Sequence, residues 1–536
     1  MNTFTGTGTL LRFALRRDRV RIAVWLAALS LGTVWISLAL TAVYPTAADR
    51  QTAAASVSSP AGLAFTGPAH YFSDYTLGAI ISHQILGFVA ILVGIMSVLM
   101  VVRHTRTEEE TGRAELVRAG IVGRHAPLTS AVLLTILVNL ALMLLLVLLL
   151  PLIGDESITW SGSLLYGAAH AAVGITFAGI AAVTTQFSAS SRGASGLGMA
   201  LVGAAYLLRA AGDAAGSDSS ETLSWLSPIG WAQRTFPYLD DRWWPLALNL
   251  AAGIVLAGLG LLLSERRDLG AGMRAARRGR STATAGLRTP IGFALRLHRG
   301  MFIGFAIGLV LLGMSYGPFL GDIETTFRDV ELIDDALSAI GGATLVDGFL
   351  TMLATILAVV ATIYSVTAVF RARSEESSGR AEPVLATWQS RPTFLGTHLI
   401  IGLIGGPLIL VLCALMLGIT GEPTVAEPVL GKAVAAAAVH IPALWVFAGL
   451  AAVLVGWLPK ATSLAWAAVT YAGFVGYLGP LLQLPDWTNR FSPFGYVPNV
   501  PAEDFALAPL IGLTVVAAAL IAIGFVGFRR RDLETK

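Results

Sequence analysis

Along this chain, apolar runs of about 20 residues alternate with short polar segments, and a run of that length is what a helix needs to cross roughly 30 Å of hydrocarbon. Twelve such runs can be drawn, at about 22–43, 78–102, 128–153, 162–187, 194–212 and 244–263, then about 301–320, 346–370, 394–419, 431–457, 462–484 and 507–528. The pattern predicts an all-α polytopic membrane protein of about twelve transmembrane helices. Arginines precede the first run, as they would in a signal peptide, but its apolar stretch is too long for one and reads as a retained span. Composition agrees: of 536 residues 55% are hydrophobic and only 13% charged, with mean hydropathy +0.72, about half the charge a soluble surface carries. The single cysteine, Cys413, lies inside an apolar run, so no disulfide framework forms within the chain.

Charge changes the picture by giving the spans a direction. With the N-terminus placed in the cytoplasm, 29 of the 36 Lys and Arg fall in cytoplasmic segments, and the outer loops hold Arg50, Arg234, Arg242, Arg328 and Arg490. That asymmetry is the positive-inside rule, and it supports twelve spans with both termini cytoplasmic. Arginine outnumbers lysine 33 to 3, and that bias, with abundant Ala and Gly, suggests a GC-rich bacterium and hence a bacterial cell membrane. The basic residues recur between spans and do not gather on one domain, so no nucleic-acid partner is implied. The acidic outer stretch 321–335 reads as ordinary solvation.

The polar segments also repeat. "RTEEETGRAE" at 106–115 and "RSEESSGRAE" at 373–382 agree at seven of ten positions, each after the second span of its half. "FALRRDR" at 13–19 recurs as "FALRLHR" at 293–299, "FAGIAAV" at 177–183 as "FAGLAAV" at 447–453, "SPIGW" at 227–231 as "SPFGY" at 492–496, and "RDL" at 267–269 as 531–533. A tandem duplication follows: a first six-helix half at 1–263, a basic cytoplasmic linker at 264–292 and a second half at 293–536. Because six is even, the halves run parallel, with a pseudo-two-fold axis along the membrane normal.

Within the repeated charged element, Glu108, Glu109 and Glu110 would sit in the first turn of a short helix, where the dipole favours carboxylates. Arg106 with Glu110, and Glu109 with Arg113, have i,i+4 spacing. A solvated helix held by its own ion pairs is the plain reading; its recurrence in both halves favours a docking surface. E-E-x-x-G-R-A-E after the second span, an arginine-rich segment before the first and S-P-[IF]-G-[WY] before the sixth resemble the permeases of type-two ABC exporters, whose transmembrane domain has the ABCG-like fold. "SPIGWAQRTFPYLDDRWWPL" at 227–246 and the fused twelve-span length are similar to actinobacterial tetronasin-type antibiotic and multidrug exporter permeases.

The resemblance implies an elbow helix at 8–20 and again at about 288–299, with Arg12, Arg16 and Arg19 at helical spacing and Leu11 and Leu15 free to face lipid. It implies coupling helices at 107–120 and 374–387, with Glu108, Glu109, Arg113 and Glu115, and Glu375, Glu376, Arg380 and Glu382, coupling to two copies of a P-loop ATPase subunit. The second copy departs at Ser377, against Glu110, and at Pro383, against Leu116, so the two docking surfaces are expected to differ. This chain has no G-x-x-x-x-G-K-[ST]; it is expected to bind no cofactor and catalyse nothing itself, with ATP and Mg on the partners. A substrate route walled by the second and fifth spans would include His83, Gln84, Phe88, Met96, Met199 and Tyr206, then Phe349, Met352, Trp466, Tyr471 and Phe474. Aromatic and Met side chains suit a hydrophobic small molecule, although on membrane helices they more often pack or meet membrane lipid.

His170 and His440, each seven residues before the Phe of the repeated F-A-G, read as neutral interhelical hydrogen bonds. No His, Cys, Asp or Glu cluster has metal-ligand spacing. The alternative function is a twelve-helix ion-coupled secondary multidrug transporter, which usually needs carboxylates deep in the membrane; Asp347 comes nearest. A non-transporting scaffold or sensor would also explain the charged loops, and loss of efflux on substituting Glu109 and Glu376 would discriminate.

Overall fold

Serine and threonine side chains just ahead of the apolar runs set where many helices begin. Thr76, Thr159, Ser190, Thr344 and Ser390 each accept a hydrogen bond from the backbone N–H three residues on, satisfying a donor that the first turn leaves free. The computed structural model describes residues 2–215, 221–273, 281–323, 344–387, 389–481, 485 and 487–533. Among the described residues every regular element is helical, and eleven helices are long and apolar enough to cross a membrane. At the place of the expected run 462–484 stands Leu464–Leu481, whose described apolar part, Leu464–Gly476, is shorter. Most of the acidic stretch 321–335 and part of the linker lie outside the described residues.

The chain divides into two compact units, Met1–Gly279 and Arg280–Lys536. The first carries helices Thr7–Val43, Leu77–Arg103, Ala126–Leu149, Trp160–Phe187, Ser191–Ala214 and Pro245–Glu265. Its core joins Val93 and Val101 of the second helix, Leu134 and Leu142 of the third, and Val173 and Phe177 of the fourth. Helices Ala47–Ser56 and Pro60–Phe65 lie between the first and second. The second unit repeats the order with Pro290–Tyr316, Leu345–Ser377, Arg391–Gly421, Leu430–Trp457, Leu464–Leu481 and Leu507–Arg530. Its fourth helix is interrupted at His440, between Leu430–Val439 and Ile441–Trp457. Pro442 is the cause, because its ring has no N–H and crowds the preceding turn.

The segment 8–20 is not a separate elbow. It is the start of the unbroken Thr7–Val43 helix, and Pro290–Tyr316 likewise runs on from its arginine-rich start. Arg12, Arg16 and Arg19 are exposed, whereas Leu11 and Leu15 are half-buried and pack against the core of the first unit. They share a face with buried Ala14 and Asp18, and Asp18 accepts from Arg103 Nε and Nη2 at 2.8 and 3.0 Å, which turns that face toward the second helix.

Two repeated motifs resolve into packing. In S-P-[IF]-G, Ser227 and Ser492 cap short helices that open on Pro228 and Pro493, the favoured first helical position for proline. A Cβ on Gly230 or Gly495 would lie 2.1 Å from Ser224 O or 2.3 Å from Asn489 O. F-A-G-[IL]-A-A-V is one side of a close seam between fourth and sixth helices: a Cβ on Gly179 would lie 2.7 Å from Gly253 O, and one on Gly449 2.9 Å from Leu520 Cβ. Small residues let the backbones approach. In the sixth helix, a Cβ on Gly260 would lie 2.8 Å from the Ala182 backbone, while one on Gly258 would meet nothing within 4 Å. Gly260→Ala should therefore lower the melting temperature of the purified chain, and Gly258→Ala should leave it unchanged or raise it, since alanine gains about 1 kcal/mol in a helix interior. Equal behaviour of the two variants would contradict the seam.

Candidate functional site

The second helix of the first unit ends at Arg103, and the charged repeat follows as two short helices, Arg106–Glu110 and Arg113–Arg118. Gly112 separates them at φ +71°; in the second unit Gly379 has φ +73° between Leu345–Ser377 and Ala381–Leu385. Glycine takes this left-handed conformation without the Cβ clash other residues suffer, and a break there changes which charges can pair. The expected i,i+4 pairs give way to Arg106 with Glu109 at 2.8 Å and Arg113 with Glu108 at 3.9 Å.

Glu109 is turned into the protein. Arg267, of the first R-D-L, grips it with Nη2 on Oε1 at 2.7 Å and Nη1 on Oε2 at 2.9 Å, and the Gly270 N–H adds a third bond at 3.2 Å. Arg267 Nε donates to Gln186 Oε1 at 2.6 Å, and fully buried Arg106 donates through Nε to the Thr185 carbonyl. The second unit builds the same clasp. Arg531, of the second R-D-L, donates to both oxygens of fully buried Glu376 at 2.6 and 2.5 Å and through Nε to Val455 O at 3.0 Å; Arg373 stands 3.3 Å from Glu376. Each clasp ties the charged stretch at or just after the end of the second helix to the segment leaving the sixth and to the end of the fourth. Fork-to-fork pairing of this kind fixes geometry as well as charge.

The other candidates divide by exposure. Glu108 bonds Arg17 of the first helix at 2.9 Å. Its counterpart Glu375 is buried and takes Arg371 and Arg380, at 2.6 and 2.7 Å, and this hydrogen bond holds the Arg380 guanidinium above its usual pKa range. Arg113, Glu115, Arg380 and Glu382 are exposed. Glu110 accepts from Ser191 N and Oγ at 2.9 and 2.5 Å, anchoring the start of the fifth helix; Ser377, in its place in the second unit, bonds back to Ser374 O. Beneath the exposed turn of the first unit is a cavity of about 100 Å³ lined by Leu10, Phe13, Arg17, Glu108, Val117 and Arg267. A matching one of about 150 Å³ in the second unit is lined by Phe293, Leu297, Glu375, Arg380, Val384 and His398. These turns rest on hollows and are tethered through ion pairs.

At the opposite end of the first unit the segment between the first and second helices closes over the second and fifth helices. His83 is fully buried between Tyr75 Oη at 2.8 Å and Thr66 Oγ1 at 3.1 Å. Beside it Asp213 takes Arg234 at 3.1 Å, Arg209 at 3.5 Å and Ser224 Oγ at 2.8 Å, all buried.

The family model described as "Multidrug efflux system permease Rv1217c, C-terminal domain" matches residues 8–263 and 287–529. The multidrug efflux system permease protein Rv1217c of Mycobacterium tuberculosis is 38% identical over 540 residues, 99% of this chain and 96% of that protein. This chain belongs to the Rv1217c family of multidrug efflux permeases.

In this permease, the route residues expected from sequence fall in several places. His83, Gln84, Phe88 and Tyr206 are gathered by the segment between the first and second helices: Gln84 donates to Tyr75 Oη at 3.3 Å, Phe88 faces Phe65 at 6.2 Å, and Tyr206 Oη donates to Phe65 O at 3.3 Å. Met96 and Phe349 are buried in the cores of their own units and Met352 is half-buried. Met199, Trp466, Tyr471 and Phe474 are exposed, and Tyr471 Oη reaches Thr488 O at 2.9 Å. His440 meets Thr355 of the second helix at 3.2 Å as well as Ala436 O of its own helix, whereas the bond of His170 goes to Tyr166 O in its own helix. Asp347 is paired with Lys432 at 2.9 Å.

Sequence reasoning missed the partners of the clasps. Arg267 and Arg531 were visible only as a repeated R-D-L with no role, and the Arg209–Asp213 i,i+4 pair was a signal left unread. Removing one partner of a buried ion pair costs about 3–5 kcal/mol, whereas an exposed substitution stays within about 0.5 kcal/mol. Glu376→Gln should thus lower the thermal unfolding temperature sharply and Glu382→Gln should not; equal, small shifts would contradict the clasp.

Proposed function

We propose that this permease is the membrane-spanning subunit of an ATP-driven ABC exporter with an ABCG-like transmembrane fold. It moves hydrophobic drugs or antibiotics out of a bacterial cell across the plasma membrane, with both termini cytoplasmic. The observation that carries the reading is the matched pair of exposed turns, Arg113–Glu115 and Arg380–Glu382, each mounted on a buried clasp. An ATPase subunit docking on each turn would push on a segment that rests over a hollow, and the clasp would pass the displacement to the second, fourth and sixth helices. Glu109 and Glu376 then transmit without touching the partner, and the contacts fall to Arg113, Glu115, Arg380 and Glu382. Membership in a multidrug efflux permease family supports the export of apolar compounds. The chain is not itself an enzyme in this reading: it binds no cofactor, and ATP and Mg belong to two copies of a separate P-loop subunit. Phe88, Met199, Trp466 and Phe474, exposed on second and fifth helices, are the apolar candidates for the substrate path.

The test is affinity purification from the native membrane after mild cross-linking, with quantitative mass spectrometry of what accompanies the chain. A P-loop ATPase at two copies per chain is expected, and it should be lost when Arg113, Glu115, Arg380 and Glu382 are all changed to alanine in a chain that still elutes as a folded species. A well-folded wild-type chain that brings no ATPase would overturn the reading.

A further inference from the structure

A cavity of about 400 Å³ opens on the second unit between Pro290–Tyr316, Leu345–Ser377 and Arg391–Gly421, within the size range of small-molecule sites. Its wall is apolar. Ile400, Ile404 and Leu408 line it as one exposed stripe at four-residue spacing, and Ile291, Leu295 and Arg299 line it as a second, each stripe being one face of a helix. Besides His298, two polar side chains interrupt the wall. Arg299 is exposed and is the last cation before the uninterrupted apolar run of its helix, which places its head at the boundary between headgroups and chains.

Tyr364 is the other. It is fully buried, edge-on to Phe302 and Phe305 at 6.0 and 5.6 Å between centroids, and its hydroxyl has no hydrogen-bond partner. A buried hydroxyl left unpaired is costly, so it is a position where an acceptor is wanted. Gly405 keeps the neighbouring space open, because a Cβ there would lie 2.8 Å from the Tyr364 oxygen. His298, the remaining polar side chain in the wall besides Arg299, is engaged with His398 at 2.8 Å. The first unit has no such vacancy at the matching place: Ser97 stands where Tyr364 does in the repeat and accepts from Asn139 Nδ2 at 3.1 Å.

We propose that this cavity binds one phospholipid from the leaflet at the arginine-rich end, with its phosphate on Arg299, an ester carbonyl accepting from the Tyr364 hydroxyl, and an acyl chain along Ile400, Ile404 and Leu408. Phe302, on which Tyr364 packs, lies about 4.5 Å further along the helix than Arg299, so the protein presents cation, hydroxyl and apolar stripe in the order that a glycerophospholipid presents phosphate, ester and chain. A groove open to the bilayer meets lipid at solvent concentration, and the anionic phosphate complements the one free cation among its lining residues. The inference goes beyond the ATP-driven reading and stands whether or not that reading holds.

The full chain in nanodiscs of phosphatidylethanolamine would be supplied with phosphatidylglycerol carrying a photoactivatable acyl chain, and the cross-linked peptides mapped by mass spectrometry. Labelling should concentrate in 291–302 and 400–408, fall at least several-fold in Arg299→Gln and in Ile404→Trp, and be competed by unlabelled phosphatidylglycerol but not by excess hydrophobic dye. Arg299→Gln alters an exposed side chain and keeps the proposal testable if the tryptophan variant does not fold. Labelling spread over all lipid-exposed helices, labelling unchanged in folded Arg299→Gln, or displacement by the dye would overturn it, the last marking a drug site.

Discussion

A bidentate grip of one arginine on one glutamate, fully buried at Glu376 and largely buried at Glu109, is the contact on which the charged end of this permease depends. Taking both ions out of water is expensive, and their attraction repays it only when geometry is good and the remaining polar atoms are satisfied. Here the arginine's third nitrogen also finds an acceptor, Gln186 Oε1 in one unit and Val455 O in the other, and a second arginine three residues before the glutamate stands beside it. The consequence is positional. The chain entering the exposed turn cannot shift without moving the segment that leaves the sixth helix, because one carboxylate belongs to both.

That constraint explains why a repeat so rich in charge survives in a chain so poor in it. Glu109 and Glu376 answer to R-D-L, and Glu110 answers to the fifth helix. Gly112 and Gly379 answer to a left-handed backbone that breaks the helix. What remains facing water, Arg113 with Glu115 and Arg380 with Glu382, is a small surface on a firm mounting. The hollows under it give such a surface room to tilt while the apolar cores stay packed.

The helical membrane architecture was legible because a 20-residue apolar run has few other uses, and the likeness of the two charged segments was legible because they agree at seven of ten positions against a varied background. The pairing inside the repeat was not. Local i,i+4 rules assume one continuous helix, and the glycine interrupts it; the true partners lie more than 150 residues away. Leu11 and Leu15 misled for a related reason, since the buried Asp18 on their face is drawn to Arg103 and turns the whole face inward. The units also diverge where the repeat predicts sameness: Asp18 corresponds to His298, and Ser97 to Tyr364, so a hydrogen-bonded core site in the first unit is an open apolar groove in the second. Side-chain volume and a neighbouring glycine decide that outcome, and neither stands out in a hydropathy pattern.

A double-substitution cycle on Glu109 and Arg267 measures the central contact most directly, read as thermal unfolding of the purified permease. Two residues joined in a buried ion pair do not contribute independently. Glu109→Gln and Arg267→Gln should each be strongly destabilising, and the double variant should be far more stable than the sum of the two losses implies. Losses that simply add would mean that the glutamate and arginine do not act through each other, and would contradict the clasp.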